Sequence, residues 1–108
     1  MNYVFDIDGT ICTNTNGDYW LAKPILERVR IVNKLHDEGH EITLFTARGM
    51  GSSGNDEQEA HKKWKELTEI QLREWGVKYN QLFLGKPAGD VYIDDKGIND
   101  QTFFDKFI

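Results

Sequence analysis

Apolar positions along the chain fall into short runs separated by longer amphipathic stretches. Residues 3–7, YVFDI, predict a short buried strand. Residues 42–45 predict a second, 82–84 a third and 91–93, VYI, a fourth. Between the first two strands, Leu26, Val29, Val32 and Leu35 recur every three residues and predict one apolar helix face. Pro24 suits the first position of that helix and Gly39 its C-terminal stop. Between the second and third, Ala60, Trp64, Leu67 and Trp75 predict one face of a long helix, and Asp56 with Glu59 has capping-box spacing ahead of it. The tail GINDQTFFDKFI is amphipathic with no clear period.

Strands alternating with helices predict an α/β fold with a mostly parallel sheet. One connection strains this expectation. Only six residues, 85–90, separate the last two strands, where a parallel crossover usually takes about a dozen. Two loops carry their own signals. Residues 12–20 are polar and centred on Asn16-Gly17, a pair that favours a type I′ turn, so a small flap is expected over the end of the first strand. Residues 49–55 predict a mobile loop.

Composition narrows the class. The chain has 108 residues, which predicts one domain, 1–108. A formal net charge of −5 argues against general nucleic-acid or anionic-membrane binding. No apolar run of about 18 residues predicts a membrane span, and the first residues lack the pattern of a signal peptide. The single cysteine, Cys12, has no internal disulfide partner. A cytoplasmic setting is the expectation, with homo-oligomerisation left open. With so few His and Cys a zinc site is not expected.

The chemistry-bearing residues stand at the ends of the strands. The first strand runs into Asp6 and Asp8, the second into Thr46 and Arg48, the third into Lys86, the fourth into Asp94 and Asp95. Ligands of open α/β sheets bind beyond the carboxyl ends of the strands, so these residues could meet in one crevice. Carboxylate oxygens suit Mg²⁺, which keeps waters and takes substrate phosphate oxygens. Thr46 and Lys86 could hold the remaining oxygens of a phosphoryl group. One carboxylate could be the nucleophile of an aspartyl-phosphate, and its neighbour two residues on could serve as acid and base. Arg48 reads equally well as a substrate contact or as half of a structural ion pair. GMGSSG, residues 49–54, matches GxGxxG in letters only. Its first glycine comes three residues after the strand, and no acid closes the third strand to take a ribose.

DIDGT, residues 6–10, resembles the DxDGT signature of the haloacid dehalogenase-like (HAD) phosphohydrolases, and Thr46, Lys86 and the Asp94-Asp95 pair follow in that family's order. The resemblance covers residues 3 to about 96. It implies a Rossmann-like three-layer sandwich with a short flap and no cap domain, similar to small capsule-biosynthesis phosphatases. It implies that Asp6 is the nucleophile and Asp8 the general acid/base. Mg²⁺ would be held by the Asp6 carboxylate, the Asp8 carbonyl and Asp94, with Asp95 acting through water or on Lys86. Thr10 would fix the loop after the first strand. With no cap, substrate binding would fall to Thr10, Arg48, Tyr19 and Trp20. The expected substrate is a small phosphorylated metabolite, a sugar phosphate first and a (deoxy)nucleoside monophosphate second. A phospho-acceptor receiver domain shares the residue types, but its acidic pair comes first and its lysine last; here the acidic pair closes the series.

Overall fold

The structure is a computed structural model that describes residues 1–107. Its elements are β1 (Asn2–Phe5), α1 (Leu26–Asp37), β2 (Glu41–Thr46), α2 (Glu57–Glu74), β3 (Gln81–Leu84) and α3 (Asp100–Asp105), with a short 3-10 turn at Tyr19–Leu21. The three strands form one parallel sheet in the order β1-β2-β3, the α/β architecture that the alternation of strands and helices predicts.

Register decides where the core sits. Tyr3, Phe5, Ile42, Leu44, Leu82 and Leu84 share one face of the sheet. Against that face pack Val29, Ile31, Val32 and Leu35 of α1, Leu72 of α2 and Phe104 of α3. On the opposite face Val4 and Phe83 are 61% and 51% exposed, so the third layer expected there is open among the described residues. The helix ends follow their sequence signals. Asp56 caps α2 by accepting from the Gln58 and Glu59 amides. At the end of α1, Gly39 N–H bonds to His36 and His40 N–H to Leu35, a Schellman closure.

Three expectations need correction. Residues 91–93 form no strand; Val91 and Ile93 are 74% and 94% exposed. The short connection is the reason: residues 87–92 fold back locally, with the Tyr92 hydroxyl donating to the Pro87 carbonyl at 2.6 Å and accepting from Gly89 N–H at 3.1 Å. Leu26 is exposed. At about 100° per residue the nine residues from Leu26 to Leu35 turn to opposite sides of the helix, so a strict three-residue repeat leaves the core. Pro24 precedes the helix rather than opening it; Ile25 is the cap, and Pro24 pairs with Cys12 across a single β-bridge that closes the base of the flap. In the flap itself Asn16 and Gly17 both have positive φ, 54° and 99°, and Asp18 N–H bonds back to Thr15. That is the expected type I′ turn, without a strand ladder behind it.

Among the described residues no helix is long and apolar enough to cross a membrane.

Candidate active site

A cavity of about 260 Å³ opens where the strands end, and Asp6, Asp8, Thr46, Arg48 and Lys86 line it together with Tyr19 of the flap and Tyr92. The sheet brings these side chains together. β1 and β2 run parallel and in register, so the residues that leave them emerge on the same edge. After β1 the chain turns at once: the Ile7 carbonyl accepts from the amides of Thr10, Ile11 and Cys12. After β2 and β3 a single carbonyl sets the spacing. Thr46 O accepts from Gly85 N–H at 3.2 Å and Lys86 N–H at 3.1 Å, which fixes where the Lys86 side chain starts.

Two glycines permit the close packing around this edge. Gly85 has φ of 107°, and a Cβ there would meet Glu57 at 2.7 Å; Gly49 has φ of 78°, and a Cβ there would meet the Trp64 ring at 2.4 Å. Both need the left-handed backbone and the missing side chain.

The two aspartates sit in different surroundings. Asp6 has the Lys86 Nζ 3.6 Å from Oδ1 and accepts from the Thr10 hydroxyl at 3.4 Å. Burial pushes its carboxyl above the usual carboxylate range, with Lys86 and the Ile7 amide pulling the other way. Asp8 is gripped from the side. Arg48 Nε donates to its Oδ2 at 2.9 Å and Nη2 to its Oδ1 at 3.0 Å. Thr46 is buried, and its Oγ accepts from Arg48 N–H at 3.1 Å. Its hydroxyl proton therefore remains to be given to a ligand.

Arg48 is the largest fully buried side chain of the molecule as described. Its remaining donors are taken by Gln71 Oε1 at 2.6 Å, Thr68 Oγ1 at 3.2 Å and Cys12 Sγ at 4.0 Å, and its guanidinium lies 5.0 Å from the centre of the Tyr19 ring. Of the two readings of Arg48, the structure selects the ion pair: no donor is left for a substrate. Thr68 and Gln71 are residues that sequence reasoning missed. Both are polar and wholly or nearly buried in the C-terminal half of α2, beyond the Trp64 and Leu67 that the apolar period predicted. Two polar residues three apart on the inner side of a helix were the available signal.

Other expected residues take other places. Thr10 is outside the cavity lining; its carbonyl accepts from Arg28, which also pairs with Asp100 at 2.6 Å, so it ties the loop to α1 and α3. Trp20 is 58% exposed, stacks on Trp64 and is outside the cavity lining, whereas Tyr19 holds the flap down by accepting from Gly49 N–H at 3.0 Å. The loop of residues 49–55 is anchored at Met50, which is buried. Cys12 is buried with Sγ 3.5 Å from Asp8 Oδ1, and burial first, then Asp8, push its thiol up to about 12. The α2 N-terminus is filled by its own Asp56 cap, which leaves the GxGxxG-like letters without the open helix end that a pyrophosphate needs.

Asp94 and Asp95 do not join the cavity lining. Both are exposed, and Asp94 accepts from Lys96 N–H at 2.9 Å, which lowers its carboxyl from the usual value. The strand that should have delivered them is a loop. Among the described residues no three His, Cys, Asp or Glu side chains gather as a metal cage. The donor set suits Mg²⁺ in part. Asp6 offers a half-buried carboxylate on the cavity wall. The Asp8 carbonyl accepts none of the backbone bonds of the turn. One or two such oxygens, completed by water and phosphate, are what Mg²⁺ takes.

No protein-family profile and no curated protein matches the sequence. Among solved structures, the crystal structure of an MCSG target from Vibrio cholerae superposes with a TM-score of 0.87 at 25% identity, covering 95% of this chain and 86% of that one. This chain therefore shares the α/β fold of that protein along nearly its whole length.

Proposed function

We propose that this chain is a phosphomonoester hydrolase of the HAD type, acting through an aspartyl-phosphate on Asp6. The observation that supports it best is the meeting of Asp6 and Asp8 from the end of β1 with Thr46 from the end of β2 and Lys86 from the end of β3 in one cavity. A half-buried carboxylate beside a lysine and a free hydroxyl proton is suited to a phosphoryl group: it can attack phosphorus while Lys86 and Thr46 hold the oxygens.

In the first half of the reaction an Asp6 oxygen bonds to phosphorus and the ester oxygen leaves, taking a proton from Asp8. In the second half water attacks phosphorus, Asp8 takes its proton, and Asp6 is released with inorganic phosphate. Asp8 Oδ1 also takes the Cys12 thiol, but Oδ2 keeps one lone pair beside the Arg48 bond, so the grip leaves room there for proton transfer. Mg²⁺, held by the Asp6 carboxylate and the Asp8 carbonyl, would supply positive charge against the phosphate. A cavity of about 260 Å³ suits a small phosphorylated metabolite such as a sugar phosphate. The Tyr92 ring at its wall, 4.3 Å from Lys86 Nζ, favours a nucleoside monophosphate as the second candidate. The cytoplasm, where a lone buried thiol stays reduced, is the setting this reading assumes.

The test is continuous phosphate release from p-nitrophenyl phosphate in Mg²⁺, lost in EDTA, followed by a screen of phosphorylated metabolites. Catalytic release that stops in EDTA supports the reading. No release, with no phosphate adduct on the protein in acid-quenched mass spectra, overturns it.

A further inference from the structure

We propose that Arg48 is a positioning residue that acts through Asp8, and that Gln71 joins this grip to the flap. The inference rests on the phosphatase reading above for what Asp8 does, and on geometry alone for how Asp8 is held.

Arg48 meets Asp8 edge to edge, two parallel N–H···O bonds of 2.9 and 3.0 Å. Such a bidentate pair fixes the plane of the carboxylate as well as its place. Arg48 is itself immobile. Its side chain is 0% exposed, and Gln71 and Thr68 hold Nη1 from α2. Thr68 has its own hydroxyl proton committed to the Trp64 carbonyl at 2.8 Å, which turns an oxygen lone pair toward the arginine. Gln71 uses both ends of its amide: Oε1 takes Arg48, and Nε2 donates at 2.7 Å to the carbonyl of Tyr19. Tyr19 closes the circuit with its ring over the guanidinium and its hydroxyl on Gly49 N–H. The acid/base carboxylate, α2 and the flap thus share one buried hydrogen-bonded unit, and the flap's docked position and Asp8's orientation are set together.

Misplacement of a catalytic group by about 1 Å can cost about 10²-fold, and the loss falls only on steps that use that group. With p-nitrophenyl phosphate the leaving group departs without an acid, so poor placement of Asp8 slows mainly the attack of water. Arg48→Met should therefore behave like Asp8→Asn: kcat falls about 10²-fold, KM falls with it so that kcat/KM is largely kept, and the aspartyl-phosphate accumulates. Arg48→Lys, which keeps one bond, should recover part of kcat, and Gln71→Met should show a weaker form of the same pattern. The double variant with Asp8→Asn should be no slower than Asp8→Asn alone.

The experiment is steady-state kinetics with acid-quenched intact mass on these variants, with Arg Nε–H resonances recorded by NMR. A phosphate adduct in Arg48→Met and a non-additive double variant support the proposal. A rise in KM at unchanged kcat, additive losses, or a folded Arg48→Met with no adduct and slower phosphorylation overturn it. If Arg48→Met does not fold, Arg48→Lys and Gln71→Met carry the same reading. Inactive wild-type protein would overturn the phosphatase function separately. In that case a protected Nε–H that Arg48→Lys removes and Asp8→Asn shifts upholds the grip, and its absence overturns it.

Discussion

Arg48 and Asp8 lie 40 residues apart in the chain and meet as a forked pair, Nε on Oδ2 at 2.9 Å and Nη2 on Oδ1 at 3.0 Å. Asp6, two residues before Asp8, has a single cation, Lys86 at 3.6 Å, and the Thr10 hydroxyl at 3.4 Å. Neighbouring acids on one strand end are therefore stabilised unequally, and their variants should diverge.

In stability they diverge in sign. Burial raises the Asp6 carboxyl above its unfolded value, so the folded state binds that proton more tightly. Its contribution is complete below the unfolded value of about 3.9 and is lost as pH rises through the folded one. In metal-free buffer at pH 7, Asp6→Asn should therefore raise Tm, and the gain should vanish toward pH 3. Asp8→Asn should lower Tm at pH 7, because it leaves a buried guanidinium short of charge. The loss should lie near the lower end of about 3–5 kcal/mol, since the amide oxygen still accepts one bond. Thermal melts of both variants across pH check the pair; a loss of stability in Asp6→Asn at pH 7 would contradict the first half.

In chemistry they diverge by step. Asp6→Asn should give no phosphate adduct with any substrate. Asp8→Asn should still be phosphorylated by p-nitrophenyl phosphate and then stall, with turnover down about 10²–10⁴-fold. Acid-quenched intact mass separates the two outcomes.

The pH dependence of turnover should follow Asp6. A nucleophilic carboxylate works ionised, and burial raises the pH at which this one ionises. The acid limb of kcat/KM for p-nitrophenyl phosphate at limiting Mg²⁺ should lie above that of an ordinary aspartate, and further Mg²⁺ should move it down. A limb unchanged by Mg²⁺ would remove Asp6 from the metal site.

Cys12 should be inert. Its thiol is buried and pushed up to about 12, so almost no thiolate exists at pH 8. Iodoacetamide should label it only on unfolding, and Cys12→Ser should keep most of the activity.

Phe104→Ala should cost about 3–5 kcal/mol. The ring is 1% exposed, lies 5.9 Å from Phe5 and carries Arg28 at 4.8 Å. Urea unfolding measures the loss, and a change near zero would mean that α3 is not part of the cooperative unit.

Strand ends at Asp6, Thr46 and Lys86 were legible because each follows a short apolar run and a parallel sheet collects such ends on one edge. Asp56, Asn16-Gly17 and Gly39 were legible because caps and turns are local chemistry. Residues 91–93 misled for the converse reason: three apolar letters look like a strand, but a strand needs a neighbour that only the chain's path can supply. Arg48 stayed ambiguous in sequence because the ion pair and the substrate contact use the same letters. Thr68 and Gln71 were invisible because their burial follows from Arg48, a relationship across two elements that no period along one helix contains.

The carbonyl of Thr46 takes both the Gly85 and the Lys86 amides, so the distance between the points where the Thr46 and Lys86 side chains start is written in main chain. Side-chain replacement around the mouth leaves that distance alone. The flap and the loop after β2 can then diverge freely among descendants of this chain, each acquiring a new specificity, while the two groups that would receive a phosphoryl stay in register.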